Sequence, residues 1–266
     1  MILSASRRTD LPAFFPEWFM KCIRNGYAEV RNPFRPGQVS RIPLTPEQID
    51  CIVFWSKNPA PLFPFLPELD RLGYRYYFQF TLTPYGRDVE PGVPDRKQLV
   101  SDFIHLSERI GREKVIWRYD PILFSDSFDV RYHALQFRRL AERLAGHTEQ
   151  CVISFADFYR KAAAALARAG FSDPEDPVKR EIAGALQETA AALGLRLRAC
   201  AEKLDLRPLG IEPSACIDGE LIRRITGRHL TFRRDRNQRK ECCCVQSRDI
   251  GTYHTCRHGC LYCYAS

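Results

Sequence analysis

Six short apolar runs, each β-branched or aromatic and each ending in polar residues, constrain the fold of this chain more than any other feature. They are I-L-S-A-S-R-R-T-D (2–10), C-I-V-F-W-S-K-N-P (51–59), Y-Y-F-Q-F-T-L-T-P-Y (76–85), V-I-W-R-Y-D-P (115–121), C-V-I-S-F-A-D-F-Y (151–159) and L-R-L-R-A-C-A-E (195–202). Their length and continuity read as buried strands. Helix-like stretches at 97–110, 130–145, 157–169 and 176–193 lie between them, closed by Gly111, Gly146, Gly170 and Gly194; Gly26 and Gly73 stand in similar positions. Glycine ends helices because it takes the left-handed conformation at little steric cost. A cycle of strand, helix and glycine predicts parallel strands joined by right-handed crossovers. The expected fold is α/β, a (β/α) barrel of the TIM type, partial or full, and 266 residues suffice to build it.

In such barrels the carboxyl ends of the strands carry the chemistry. Here those ends hold Arg7, Arg8, Asp10, Lys57, Asn58, Thr83, Tyr85, Arg118, Asp120, Asp157, Tyr159, Cys200 and Glu202. Ordinary loop polarity and helix caps at Asp10 and Asp157 account for any one of them. Together they predict one polar mouth over an apolar barrel.

The formal net charge is +8, and residues 221–248 supply most of it: nine Arg or Lys against Asp235 and Glu241 give 9 − 2 = +7. Crowded positive charge suits a polyanion such as nucleic acid; a solvated basic face is the alternative. No run of roughly 18 apolar residues is present to span a bilayer, and the start lacks the apolar core of a signal peptide. A soluble cytoplasmic protein is expected. In a reducing compartment, clustered cysteines read as metal ligands or redox groups rather than disulfides.

Six of the 11 cysteines fall in the last 25 residues. Cys256, Cys260 and Cys263 have C-x-x-x-C-x-x-C spacing, which suits three corners of an iron-sulfur cube with the fourth iron open, whereas structural zinc wants four ligands. Cys200, Cys216, Cys242 and Cys244 make a second set of four, able to close an auxiliary 4Fe-4S cluster or a zinc site. Cys243 reads as a bystander or a substitute for a neighbour, and Cys22, Cys51 and Cys151 as small core residues. His254 and His258 flank the first set and are expected to hydrogen-bond backbone.

This cysteine spacing, with the aromatic Tyr262 before the last cysteine, resembles the radical S-adenosylmethionine superfamily. From end to end the chain also resembles one bacterial domain-of-unknown-function family of that superfamily, number eighteen forty-eight. The similarity rests on S-A-S-R-R-T-D-L-P-A, F-W-S-K-N-P, W-R-Y-D-P-I, N-Q-R-K-E-C-C-C and D-I-G-T-Y-H-T-C-R-H-G-C-L-Y-C-Y-A. Cys243 departs from it by filling a position expected to be small, and relatives continue past Y-C-Y-A where this sequence has only Ser266.

The resemblance implies a 4Fe-4S cluster on Cys256, Cys260 and Cys263. S-adenosylmethionine bound there is cleaved reductively to a 5'-deoxyadenosyl radical that acts on an unidentified substrate. It also implies a reductant such as flavodoxin or ferredoxin. Tyr262 is expected near the adenine. Lys57, Arg118, Arg7 or Arg8 would meet the methionyl carboxylate, and Asp10 or Asp120 the amine or ribose. Because the cysteine loop normally follows the first barrel strand, its C-terminal place implies a circular permutation. Residues 1–199 would then be the barrel body, 200–244 an auxiliary cysteine-bearing basic segment, and 245–266 the first strand and cluster loop, in one compact domain. Superfamily relatives with a Y-C-Y ending include DNA photoproduct repair enzymes, so nucleic acid stands beside peptides and small molecules as a substrate class. The rival function is a noncatalytic zinc or iron-sulfur nucleic-acid-binding protein. A metal-dependent hydrolase is disfavoured by the lack of any H-x-H or H-E-x-x-H pair.

Overall fold

The structure is a computed structural model that describes residues 1–33, 35–158 and 160–265; Tyr159, one of the expected strand-end residues, lies outside them. The strands are β1 (Ile2–Ala5), β2 (Tyr27–Asn32), β3 (Arg35–Pro43), β4 (Cys51–Ser56), β5 (Tyr76–Thr81), β6 (Val115–Ile122), β7 (Gln150–Phe155), β8 (Arg196–Cys200), β9 (Glu212–Ser214) and β10 (Arg248–Asp249). The α-helices are α1 (Leu11–Phe14), α2 (Pro16–Asn25), α3 (Leu66–Arg71), α4 (Arg96–Ile110), α5 (Val130–Leu144), α6 (Arg160–Arg168), α7 (Asp176–Ala192) and α8 (Gly219–Thr226).

Eight strands form one sheet in the order β10-β1-β4-β5-β6-β7-β8-β9, paired in parallel throughout. All six runs read from the sequence are in it. The expectation of a full barrel is corrected: β10 and β9 are the two edges, and the sheet does not close. The segment 245–266, expected to open with the first strand, gives only two strand residues, and Leu3 and Ser4 pair with Arg248 and Asp249.

The strands read as unbroken apolar runs because both faces of the sheet are covered. Alternate residues Leu3, Ala5, Ile52, Phe54, Phe78, Phe80, Trp117, Tyr119, Cys151 and Ile153 pack into the main core with the apolar sides of α2, α4, α5 and α7. The residues between them, Ile2, Cys51, Val53, Tyr77, Ile116 and Val152, face a second cluster with Ile217, Leu221 and Ile222. Residues 216–245 therefore cover the face that a closed barrel would turn inward. Farther along that face Gln79, Arg118 and Ser154 are also buried, so the plugged end is apolar and the mouth polar.

Helix ends follow local rules. Asp95, Asp129 and Asp218 cap α4, α5 and α8 by accepting from backbone N–H groups, and Asp10 caps α1 through Ala13 N. Gly26 ends α2 in the left-handed conformation, its N–H returning to Cys22 and Ile23. The sequence reading did not anticipate the β2–β3 hairpin. It is a separate two-stranded antiparallel sheet whose inward residues Ala28, Val30 and Ile42 alternate with polar ones.

Burial of His133 on α5 sets a test of this core. Its Nδ1 meets Tyr119 Oη at 2.9 Å and its Nε2 the Leu123 carbonyl at 2.7 Å. Burial pulls the imidazole down to about 4. The folded chain thus refuses a proton that the unfolded chain accepts below pH 6.5, so stability is lost as pH falls from about 6.5 to 4. The loss expected is about 3 kcal/mol. Urea titrations at pH 7, 5.5 and 4 check this, with His133→Gln flattening the decline.

Candidate metal centres

Two groups of cysteines stand at the carboxyl end of the sheet. The first lies in the loop that follows β10. Asp249 anchors the start of that loop by accepting from Ser4 Oγ (2.7 Å), Ser6 Oγ (2.7 Å), Arg7 N (2.8 Å) and Gly251 N (2.8 Å). A Cβ on Gly251 would overlap Ser6 Oγ, so the chain passes there only as glycine. Farther on, Gly92 N donates to His258 O at 2.8 Å, and a Cβ on Gly92 would stand 2.6 Å from the Arg257 carbonyl.

His258, between Cys256 and Cys260, is buried. Its Nε2 meets Asp10 Oδ2 at 2.8 Å and its Nδ1 the Gly92 carbonyl at 3.1 Å. Asp10 also accepts from Ser56 Oγ (2.7 Å) and Lys57 N (2.8 Å). The carboxylate expected to hold an amine or ribose instead joins α1, the end of β4 and the cysteine loop. The backbone hydrogen bond expected of a loop histidine is the one to Gly92.

Lys57 Nζ lies 2.8 Å from Glu90 Oε1 and 5.5 Å from the centre of the Tyr262 ring. Glu90 also accepts from Thr83 Oγ1 at 2.7 Å and from the Tyr262 hydroxyl. Burial raises the Glu90 carboxyl, but Lys57 and these donors outweigh it and hold it low. Sequence reasoning missed Glu90; the only signal was an acid in the loop D-V-E-P just past a strand end. Half-buried Cys256, Cys260 and Cys263 act on one another electrostatically. Burial pushes the Cys260 thiol up to about 12, with Lys57 the largest opposing influence. Three soft thiols beside a lysine are donors of the kind an iron-sulfur cluster takes, but among the described residues they are not already gathered around a metal position.

The second group is Cys200 at the end of β8, Cys216 just past β9, and Cys242 and Cys244. Cys200 Sγ and Cys216 Sγ are 3.1 Å apart, and Cys242 and Cys244 pack with Cys216 in one buried cluster. Hydrogen bonds from Cys200 and Cys244 hold the Cys216 thiol low, helped by Arg118 and Arg7. A bond from Cys244 lowers Cys242 to about 6. The four thiols meet as a chain; among the described residues no three His, Cys, Asp or Glu side chains are already gathered around a metal position.

Arg118 belongs to this second group. Its guanidinium pairs with Asp120, lies 3.3 Å from Gln79 Oε1 and donates to Cys216 Sγ at 2.8 Å. Asp120 in turn accepts from Ser154 Oγ. Arg7 stacks on Trp55 at 5.2 Å and stands 3.9 Å from Asp235, with Nη2 buried and unpartnered. Arg8 sits 5.4 Å from the centre of the Tyr253 ring and 3.9 Å from Asp249. Glu202 accepts from Phe155 N at 2.7 Å, and burial raises it to about 7. Cys243 is exposed, whereas Cys22, Cys51 and Cys151 are buried.

The nine Arg and Lys residues of the basic stretch are all exposed, yet several are engaged within the chain. Arg224, Arg228 and Arg239 pair with Glu149, Asp50 and Asp157, while Arg223 and Arg234 donate to backbone carbonyls. Three of its nine positive side chains thus tie the 221–248 segment to the body, and Arg223 and Arg234 brace it internally. No helix among the described residues is long and apolar enough to cross a membrane. No curated protein and no solved structure matches the chain. Over residues 2–265 the chain matches the family model described as Domain of unknown function (DUF1848), and it belongs to that family.

Proposed function

We propose that this protein is a radical S-adenosylmethionine enzyme whose 4Fe-4S cluster is held by Cys256, Cys260 and Cys263. The observation that carries the reading is the placement of the C-x-x-x-C-x-x-C loop. It follows a strand paired in parallel with β1, so three soft thiols share the carboxyl end of the sheet with Asp10, Lys57 and Glu90. Since the C-terminal β10 is the neighbour of the N-terminal β1, the order of segments fits a circularly permuted, open (β/α) barrel.

When bound, the cluster and S-adenosylmethionine supply one-electron cleavage of a carbon–sulfur bond and a 5'-deoxyadenosyl radical that takes a hydrogen atom from the substrate. The chain supplies position and charge. Lys57, fixed on Glu90, places a cation where Cys260 must ionise. Asp10 holds His258, and with it the middle of the loop, against β4. Tyr262 is locked by its hydroxyl on Glu90 and lies edge-on to Tyr85, which gives a fixed aromatic wall for a nucleobase. Lys57 and Arg118 are committed to carboxylates; Arg8, 3.9 Å from Asp249 and over the Tyr253 ring, is the less tightly paired cation to meet the methionyl carboxylate. Flavodoxin or ferredoxin would deliver the electron.

Anaerobic purification with iron and sulfide analysis tests the reading. About four irons on the first loop are expected, with 5'-deoxyadenosine formed from S-adenosylmethionine only when a reductant is present. Cys256→Ala, Cys260→Ala and Cys263→Ala should each reduce that product to background. Zinc in this loop, or an iron-loaded protein that yields no 5'-deoxyadenosine, sinks the proposal.

A further inference from the structure

We propose that Cys200, Cys216, Cys242 and Cys244 bind a single zinc ion as a tetrathiolate and do not carry a second iron-sulfur cluster. The proposal stands apart from the reading of the first loop. It rests on spacing. Four thiolates at about 2.3 Å from one zinc form a tetrahedron with edges of about 3.8 Å, so they nearly touch. In a 4Fe-4S cube each thiolate caps its own iron at a separate corner, and the ligands stand a whole cluster apart. Here Cys200 and Cys216 are 3.1 Å apart, Cys244 Sγ accepts from the backbone N–H next to Cys216, and Cys216, Cys242 and Cys244 share one buried cluster against which Cys200 packs. The scale is that of one ion.

The backbone that carries these thiols has little freedom to spread. Cys200 pairs with Ser214 across β8 and β9, two residues before Cys216. Tyr77 Oη (2.7 Å) and Gln79 Nε2 (2.8 Å) both donate to the Cys216 carbonyl. Val245 N donates to Ile217 O, and Asp235 N to Cys244 O. Opening the group to cube dimensions would break this seating against the sheet. An ion needs only side-chain rotation to turn the chain of thiols into a cage.

The surroundings are those of an anionic thiolate centre. Arg118 Nη1 donates to Cys216 Sγ at 2.8 Å, and Ile217 N to Cys244 Sγ at 3.4 Å; such outer hydrogen bonds orient and tune thiolate ligands. One zinc and four thiolates sum to −2. Arg118 and Arg7, although also paired with Asp120 and Asp235, place positive charge beside it, and the buried, unpartnered Nη2 of Arg7 leaves a donor in reserve. The site also has a structural task. Between α8 and β10 only the isolated Arg234–Val245 bridge regularises the chain, and a metal there ties that irregular segment to β8 and β9.

The full chain carrying Cys256→Ala, Cys260→Ala and Cys263→Ala separates this proposal from the first-loop reading. Grown with both metals and purified anaerobically, it is expected to hold about one zinc and almost no iron. Zinc-edge absorption spectroscopy on the wild-type protein should show four sulfur neighbours at about 2.3 Å. Adding Cys242→Ala and Cys244→Ala should release the zinc. A chain that keeps about four irons without the first loop, one that binds neither metal, or one in which mass spectrometry finds Cys200 and Cys216 as a disulfide overturns the proposal. The wild-type spectrum decides even if the substituted chains fold poorly.

Discussion

Asp10→Ala is expected to destabilise the protein by roughly 3–5 kcal/mol, because it strands buried donors that have nowhere else to turn. The lost acceptor serves Ala13 N, Ser56 Oγ, Lys57 N and His258 Nε2 together. Three separate chain segments lose their common anchor. The loop of Cys256, Cys260 and Cys263 should loosen, and iron retained per chain should fall along with the unfolding midpoint. Asp10→Asn keeps an acceptor oxygen and is expected to recover part of both. Chemical denaturation and iron analysis on the same preparations check the pair; an alanine variant with wild-type stability and iron would remove Asp10 from its proposed role.

Lys57→Met is expected to cost about 3–5 kcal/mol near neutral pH, since it leaves Glu90 buried without its cation. The pH dependence should change sign. In the native protein the Glu90 carboxyl is held low, so its contribution is present above the ordinary carboxylate range and lost as the pH falls through the lowered value. Without Lys57, burial dominates and raises the carboxyl. The variant then becomes less stable as the pH rises and recovers toward acid. Glu90→Gln in the same chain should rescue most of the loss, because Gln still accepts from Thr83 or Tyr262. Iron loading should drop as well, since Cys260 loses the charge that most favours its thiolate. Unfolding titrations of the single and double variants at pH 5 and 8 decide the matter.

Much of the framework was legible because it is local. The four main helices lie within three residues of their read boundaries at each end, and their closing glycines Gly111, Gly146, Gly170 and Gly194 all have positive φ. Continuous apolar strands announced burial on both faces. The hairpin at residues 27–43 escaped because its period-two pattern is brief and its outward residues are strongly polar. Whether the barrel was partial or full stayed undecided, since six strands with crossovers read alike whether the edges meet or a segment such as 216–245 fills the gap.

At the candidate sites the split is similar. C-x-x-x-C-x-x-C is a local pattern and stands in the sequence itself. Nothing in spacing pairs Lys57 with Glu90, Asp10 with His258, or Arg118 with Cys216, because each contact joins groups brought together only by the order of strands in the sheet. The strand-end cations illustrate the result: all were equal from sequence, yet Arg118 turns toward the second thiol group and Lys57 toward the first loop. By itself the sequence determined which segments become strands and helices and which chemical groups sit at their ends, since backbone propensity and burial act within a few residues. Tertiary structure alone decided which of those groups meet, and how far apart the thiols stand, because those distances are set by packing between elements far apart in the chain.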